Sequence, residues 1–399
     1  MHRSRALTGF TSAVAARTGR LGSRLLWSTG TLAVVVVAAT TVGAHKGNVS
    51  RYTYNDDIYP ILQNKCGRCH TDGGPAPMSL LSYDDQGGAV AWAESIREAL
   101  VSDAMPPWYA DPSGPAVKNN HVLTPRELDM LITWATGGTP QGDLNRKPVP
   151  QVAPVQWTLG TPDLALPMAQ AFTLAAGVME ATVDLTLATG LAEAKWISAA
   201  DLLPGTPSMV RRARIAVENG PVLAVWQPGD DVSPTPGGTA FRLPAGAKLQ
   251  LQIRYKKGWQ DEQKAMSDLS TVGLYFTDEP LSGKDIVAFV VDGPAGQSTP
   301  TFGSTLTTAG RVLAIRPLVD QAYASVDVQA VAASGRRVAL LRMRGVRPEW
   351  PRRYWLANPV ELPQGTRIEI TMTAADPDSG PLASSEASPL QFALDIVPQ

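Results

Sequence analysis

The chain of 399 residues holds only two cysteines. Cys66 and Cys69 stand three positions apart, and His70 follows the second directly. Two thiols on one helical turn can add to the two vinyl groups of a porphyrin, and the next imidazole then projects under the iron. Cys66-Gly67-Arg68-Cys69-His70 is therefore read as an attachment site for one covalent haem c, with Cys66 and Cys69 as its links and His70 as an axial ligand. A thioredoxin-like redox pair uses the same cysteine spacing. That alternative asks for a βαβ context, whereas this motif closes a short helical pattern in a chain with an export leader. With no third or fourth cysteine, a disulfide framework and a four-cysteine zinc site are excluded.

A second axial ligand must come from elsewhere. Met105 precedes Pro106-Pro107-Trp108, a loop stiff enough to hold a thioether at fixed distance from iron, and methionine ligation raises a haem's potential. Met78, after Ala76-Pro77, is the alternative, since eight extended residues reach roughly 25 Å. His121 is a third candidate. Each methionine also reads as ordinary core packing.

The elements that would position these groups are helical. Tyr54, Ile58, Ile61 and Leu62 recur at helical spacing and lead into Cys66. Trp92, Ile96, Ala99 and Leu100 mark a second helix. A third starts at the capping box Thr124-Pro125-Arg126-Glu127, shows an apolar face of Leu128, Leu131, Ile132 and Ala135, and stops at Gly137-Gly138. Residues 51–143 thus read as a small all-α domain. Residues 144–156 carry Pro148, Pro150 and Pro154 and read as an extended linker.

After Trp157 the period becomes two. Val183, Leu185 and Leu187 alternate with polar partners, as do Leu249, Leu251, Ile253 and Tyr255, and Ile368, Ile370 and Met372. Val326, Val328 and Ala330 precede a turn at Ser334-Gly335, and Val338 and Leu340 follow it. This is antiparallel β material. A Gly/Ser/Thr/Pro-rich stretch near Pro294 to Gly310 divides it into sandwiches over 157–290 and 291–399. The expected fold is multi-domain: an all-α cytochrome c domain followed by two jelly-roll-like β-sandwiches.

Residues 1–50 read as a signal peptide or membrane anchor. Arg3, Arg5, Arg17, Arg20 and Arg24 precede an apolar run at 25–44, long enough to span a bilayer at about 20 residues, and Val42-Gly43-Ala44 suits a signal peptidase. Either outcome places the remainder outside the cytoplasm, in a periplasmic or other extracytoplasmic space. The formal net charge of −1 and the export leader exclude nucleic acid as a partner.

Residues from about Tyr54 to Asp143 resemble the cytochrome c domains of environmental bacteria such as acidobacteria and planctomycetes. The stretches that carry the likeness are Cys66 to His70, Ala76-Pro77-Met78-Ser79-Leu80, Met105-Pro106-Pro107-Trp108-Tyr109-Ala110-Asp111-Pro112, and Leu123 through Trp134. The resemblance implies Met105 as sixth iron ligand. Most of Trp157 to Asp378 resembles the copper type II, ascorbate-dependent monooxygenases, through Trp157 to Leu164, Trp226-Gln227-Pro228-Gly229, Leu243-Pro244-Ala245-Gly246 and Leu362-Pro363-Gln364-Gly365-Thr366. It implies two linked jelly rolls, each with a copper. The positions that match the family's histidines read Arg211-Arg212, Arg254-Tyr255, and Leu318-Val319-Asp320 after Pro317. No His or Cys follows His121. Copper sites rich in nitrogen and sulfur need imidazole or soft sulfur, so copper is not expected. Met168, Met179, Met209, Met266, Met343 and Met372 have no ligand-like spacing.

Arg211, Arg212 and Arg254 read either as guanidinium groups standing where a metal cation stood or as surface arginines. Arg342, Arg344, Arg347, Arg352 and Arg353, with Trp350, Tyr354 and Trp355, read as a solvated β-ribbon face or a docking site. Asp376-Pro377-Asp378 is a weak calcium signal. The function expected is one-electron transfer by an exported monohaem cytochrome to other redox proteins, tethered to a membrane or part of a larger complex, with a copper-less β module as scaffold or docking surface. Its alternatives are a haem-fed copper monooxygenase and an accessory subunit of a respiratory or photosynthetic assembly.

Overall fold

The computed structural model describes residues 49–150, 156–280, 284–294, 296–297, 299–375 and 388–399. The leader, the apolar run at 25–44, Pro154 and Asp376-Pro377-Asp378 lie outside them. Among the described residues no helix is long and apolar enough to cross a membrane.

Three helical segments come first. Tyr54–Ile58, Tyr59–Ile61 and Leu62–Cys66 run on without a break as α1, with π-type winding at both ends. Ala93–Val101 is α2 and Pro125–Thr136 is α3. The reciprocal cap of α3 is present: the Glu127 amide donates to Thr124 Oγ1 at 3.2 Å and the Thr124 amide donates to Glu127 Oε2 at 2.7 Å. Two of the orphan donors of a helix start are thereby satisfied. Leu131 and Trp134 on α3 bury against Tyr54, Ile58 and Leu62 on α1.

The first sandwich contains β1 (Leu164–Pro167), β2 (Phe172–Leu174), β3 (Glu180–Ala188), β4 (Lys195–Leu203), β5 (Val210–Val217), β6 (Val222–Trp226), β7 (Phe241–Leu243), β8 (Lys248–Lys256), β9 (Met266–Asp268) and β10 (Thr271–Thr277). Its sheets run β1-β10-β4-β7 and β3-β8-β5-β6, with β2-β9 as a separate ribbon. The second sandwich contains β11 (Val287–Asp292), β12 (Thr301–Thr305), β13 (Gly310–Leu318), β14 (Tyr323–Val331), β15 (Arg337–Val346), β16 (Tyr354–Leu362), β17 (Arg367–Ala374) and β18 (Gln391–Pro398). Its sheets run β11-β18-β13-β16 and β12-β17-β14-β15. Period two decides which face is buried: on β8, Leu249, Leu251, Ile253 and Tyr255 all point into the core. Gly335, at φ +82°, turns β14 into β15.

The expected small all-α cytochrome c domain over 51–143 is corrected. The molecule is mostly β, the helices are short, and Ser50–Gln399 forms one compact unit. The stretch between α2 and α3 is built into the second sandwich. Ala110 bridges Met343 on β15, and Val117 bridges Leu356 on β16. The Asp111 amide donates to the Arg342 carbonyl at 2.9 Å, and the Arg344 amide to the Tyr109 carbonyl at 2.9 Å. Tyr109 and Ala110 are buried in the core of that sandwich. Buried backbone groups need partners, and this stretch finds them on β15 and β16 rather than within a helical domain.

Candidate functional site

The Cys66–His70 turn is wound tightly onto the end of α1. The Gly67 amide donates to the Leu62 carbonyl at 2.6 Å, and the Cys69 and His70 amides donate to the Cys66 carbonyl at 3.0 and 2.8 Å. Both thiols are free. Cys66 packs against the helical core. Cys69 faces the first sandwich, where its sulfur lies 3.4 Å from the Pro228 carbonyl. Gly229 has φ +77°, and a Cβ there would stand 3.1 Å from the Cys69 sulfur and 3.0 Å from Arg68 Cβ. Only glycine permits this approach of the β6–β7 loop to the thiol.

Charged groups ring that loop. Arg68 grips Asp231 with both terminal nitrogens, at 2.8 and 3.2 Å, and donates to the Gly229 carbonyl at 2.8 Å. His121 Nε2 lies 2.9 Å from the second Asp231 oxygen. Arg352 pairs with Asp230 at 2.9 Å and lies 5.0 Å above the Trp108 ring, whose edge meets His121. Arg211, at the bulge that starts β5, donates to the Ser208 carbonyl at 2.9 Å and faces Cys69.

Burial sets the protonation of this site. It pushes the Cys66 thiol up to about 12, with Cys69 adding to the rise. It also pushes Cys69 up to about 12, where Asp230 raises it further and Arg352, Arg211 and Arg68 oppose. Both sulfurs are neutral thiols at pH 7. Burial lifts the Asp230 carboxyl to about 6 against the pull of Arg352. Burial would raise Asp231 too, but Arg68 and His121 hold it below the usual carboxylate range. Burial brings Arg211 down to about 10. It also lowers His70, against a hydrogen bond to the Met78 backbone, and His70 Nδ1 is buried with no hydrogen-bond partner.

The sequence-derived candidates are thus distributed as follows. Cys66, Cys69 and His70 share one turn, and the Met78 backbone meets His70. Met105 follows α2, its amide donating to the Ala99 carbonyl at 3.1 Å. His121 binds a carboxylate. Arg254 pairs with Glu180 at 3.1 Å and lies opposite Arg212 across β5 and β8. Arg212 donates to the Pro348 carbonyl at 3.5 Å. The cluster at 342–353 divides: Arg342 and Arg344 stand exposed on the outer face of β15, while Arg352 and Arg353 are buried. Arg342 pairs with Asp327, Arg344 with Asp111, and Arg347 donates to the Ser102 carbonyl. Arg352 and Arg353 are buried in ion pairs. Sequence reasoning missed Asp230 and Asp231. Their one signal is a Pro228-Gly229 turn that ends in two acids.

The expectation of a covalent haem c is corrected as well. Among the described residues there is no group of three or more His, Cys, Asp or Glu side chains that could hold a metal ion, and the β6–β7 loop is packed directly onto the Cys69 sulfur. Comparison with known proteins points the same way. No family model matches the chain, cytochrome or monooxygenase, and no curated protein matches it. The resemblances to cytochrome c domains and to copper type II monooxygenases are corrected on that finding. Among solved structures, the chain is similar to the major capsid protein P2 from bacteriophage PM2, at 10% identity and TM-score 0.28, over 59% of this chain and 96% of that one. It is similar to a turret protein of Sulfolobus turreted icosahedral virus at 10% identity and TM-score 0.16, over 59% of this chain and 99% of that one. A mutant oxalate decarboxylase of Bacillus subtilis gives 12% identity and TM-score 0.15, over 71% and 88%. Scores this low carry no argument about fold or function.

Proposed function

We propose that this chain is an extracytoplasmic electron-transfer protein whose redox site is the Cys66–His70 turn, with the two sandwiches as scaffold and docking surface for other redox proteins. One observation carries the reading. The chain's only two cysteines stand on one turn, followed by an imidazole, and the charges of Arg352, Arg211 and Arg68 act on Cys69 against that of Asp230. Two thiols at this spacing can join as a disulfide. The couple releases two electrons and two protons, and the disulfide of a partner protein takes up both through a mixed disulfide. Oxidised pairs persist in exported proteins. Burial keeps the thiols protonated, so exchange is slow until Cys69 loses its proton beside Arg68, Arg211 and Arg352, because the thiolate is the nucleophile.

The test is intact mass under denaturing conditions after equilibration in redox buffers and alkylation. The reduced chain takes up two alkyl groups, at Cys66 and Cys69. The oxidised chain takes up none and is lighter by two hydrogens. Added mass on the Cys66–Cys69 peptide would assign the electrons to an attached group instead. Two alkylatable thiols at every potential would overturn the reading.

A further inference from the structure

Three guanidinium groups act on Cys69, and two of them are already engaged with carboxylates. Arg68 holds both oxygens of Asp231 and donates to the Gly229 carbonyl. Arg352 pairs with Asp230 at 2.9 Å and donates to Gln227 Oε1 at 3.0 Å. Arg211 differs. Its hydrogen bond goes to a neutral acceptor, the Ser208 carbonyl, and among the described residues no carboxylate pairs with it. The titratable group that acts back on it is Cys69, which offsets part of the effect of burial.

The backbone aims this side chain. On β5, Val210 lies opposite Tyr255 of β8 and Arg212 lies opposite Arg254, so Arg211 is the extra residue of a β-bulge. A bulge leaves its extra residue out of the ladder and re-aims its side chain. The charges around Cys69 then do not balance. Arg68, Arg211 and Arg352 face Asp230 and Asp231, which leaves one cation over while the thiol keeps its proton. His70 and His121, both lowered by burial, are neutral at pH 7, and Lys65 acts on Cys66. A cation drawn out of water without a counter-ion is costly, and Cys69 is the neighbour that can supply the missing negative charge.

We propose that Arg211 is the counter-cation of the Cys69 thiolate and makes Cys69 the thiol that opens the exchange. Cys69 gives its proton to water, and the thiolate attacks one sulfur of the partner's disulfide. The partner's S–S bond breaks as the bond to Cys69 forms, and the released partner sulfur takes up a proton. Cys66, losing its own proton, then attacks the Cys69 sulfur and frees the second partner sulfur, which is protonated in turn. Two electrons and two protons have then reached the partner. This inference rests on the electron-transfer reading for its reaction, but the relation between Arg211 and Cys69 is measurable without any redox step.

The test is alkylation of the folded, reduced full chain with iodoacetamide from about pH 7 to 12, a range that brackets the ordinary thiol value. Trypsin cuts after Arg68, so mass spectrometry reads Cys66 and Cys69 on separate peptides. Arg211→Gln slows Cys69 by about tenfold or more near neutral pH and moves its profile upward, while Cys66 is unchanged. Arg211→Lys, which keeps the charge, recovers most of the rate. A merely structural role predicts the opposite sign, since a loosened loop exposes the thiol and speeds its alkylation. A Cys69 rate that is unchanged or raised in Arg211→Gln with Cys66 unchanged, or an equal loss in Arg211→Lys, overturns the proposal. The unsubstituted chain gives a check that no unfolded variant can obscure: the Cys69 rate levels off at lower pH than the Cys66 rate, and the reverse order overturns the proposal. Failure here leaves the disulfide reading standing, and failure of the disulfide test leaves the pairing of Arg211 with Cys69 standing.

Discussion

Two regions of the molecule bury arginine–aspartate pairs, and they do so differently. Where the sandwiches meet, Asp395 on β18 is almost fully enclosed and holds Arg316 at 3.1 Å and Arg353 at 2.9 Å. Arg353 also donates to the Val222 and Leu223 carbonyls on β6, both at 2.5 Å, which ties the second sandwich to the first. Beside Cys69, Asp230 is lifted to about 6, Asp231 keeps 39% of its side chain exposed, and glycine alone separates the thiol from the loop. The first arrangement is closed by two cations on one carboxylate. The second keeps a neutral thiol next to a carboxyl that titrates near neutrality. A fold can use the same residue types as a clamp or as a responsive site, and the number of buried guanidinium groups on the carboxylate decides which: two on Asp395, one on Asp230.

Asp395→Ala tests the clamp and has the largest expected effect. It strands two buried guanidinium groups, so chemical denaturation should show a loss of about 3–5 kcal/mol. A loss below about 1 kcal/mol would make the junction equivalent to a surface pair and remove the contrast. Gly229→Ala tests the other side. A side chain at φ +77° beside the Cys69 sulfur should lower stability by about 1–3 kcal/mol, and Cys69 should alkylate faster in the folded state as the loop is pushed away. Unchanged alkylation would separate the loop from the thiol's protection.

The pH dependence sharpens the comparison. Asp230 titrates higher in the folded chain, at about 6, than its ordinary value of 3.8. Its contribution is therefore fully present below about 4 and is lost as pH rises to about 6. Asp231 is shifted down, so its contribution is present above the ordinary carboxylate range and is lost as pH falls below it. Asp230→Asn should flatten the stability profile between about pH 4 and 6 while leaving the acid limb. A profile unchanged by the substitution would show that another group titrates there. The smallest effect belongs to Arg254→Met. Its partner Glu180 is 39% exposed, so solvent screening limits the loss to about 1 kcal/mol, and Met keeps an apolar stem where Arg254 is buried.

The strand pattern was legible because its information is local. Leu249, Leu251, Ile253 and Tyr255 each follow the last by two residues, and the pleat places such residues on one face whatever else the chain does. The capping box at Thr124 was legible for the same reason. The stretch from Met105 to His121 was not. Its Pro-rich sequence signals only a loop, and nothing within it announces that Ala110 and Val117 will bridge β15 and β16. Arg352 and Arg353 were illegible for a related reason: alternation and charge suggest a wet ribbon, which holds for the exposed Arg342 and Arg344, but the carboxylates that bury Arg352 and Arg353, Asp230 and Asp395, are far off in the chain or on another strand.

By itself the sequence determined the turn: two thiols three apart, the imidazole after them, and the helix that ends there follow from spacing along one segment. It also determined which residues of each strand share a face. Only the tertiary structure decided what surrounds that turn. Arg68 meets Asp231 across 163 positions, Gly229 reaches the Cys69 sulfur, and Arg211 faces the same thiol from β5. Such meetings depend on the register of sheets and the packing of three cores against one another. No local period encodes them, because an ion pair is specified by where two backbones pass and not by the distance between its residues along the chain.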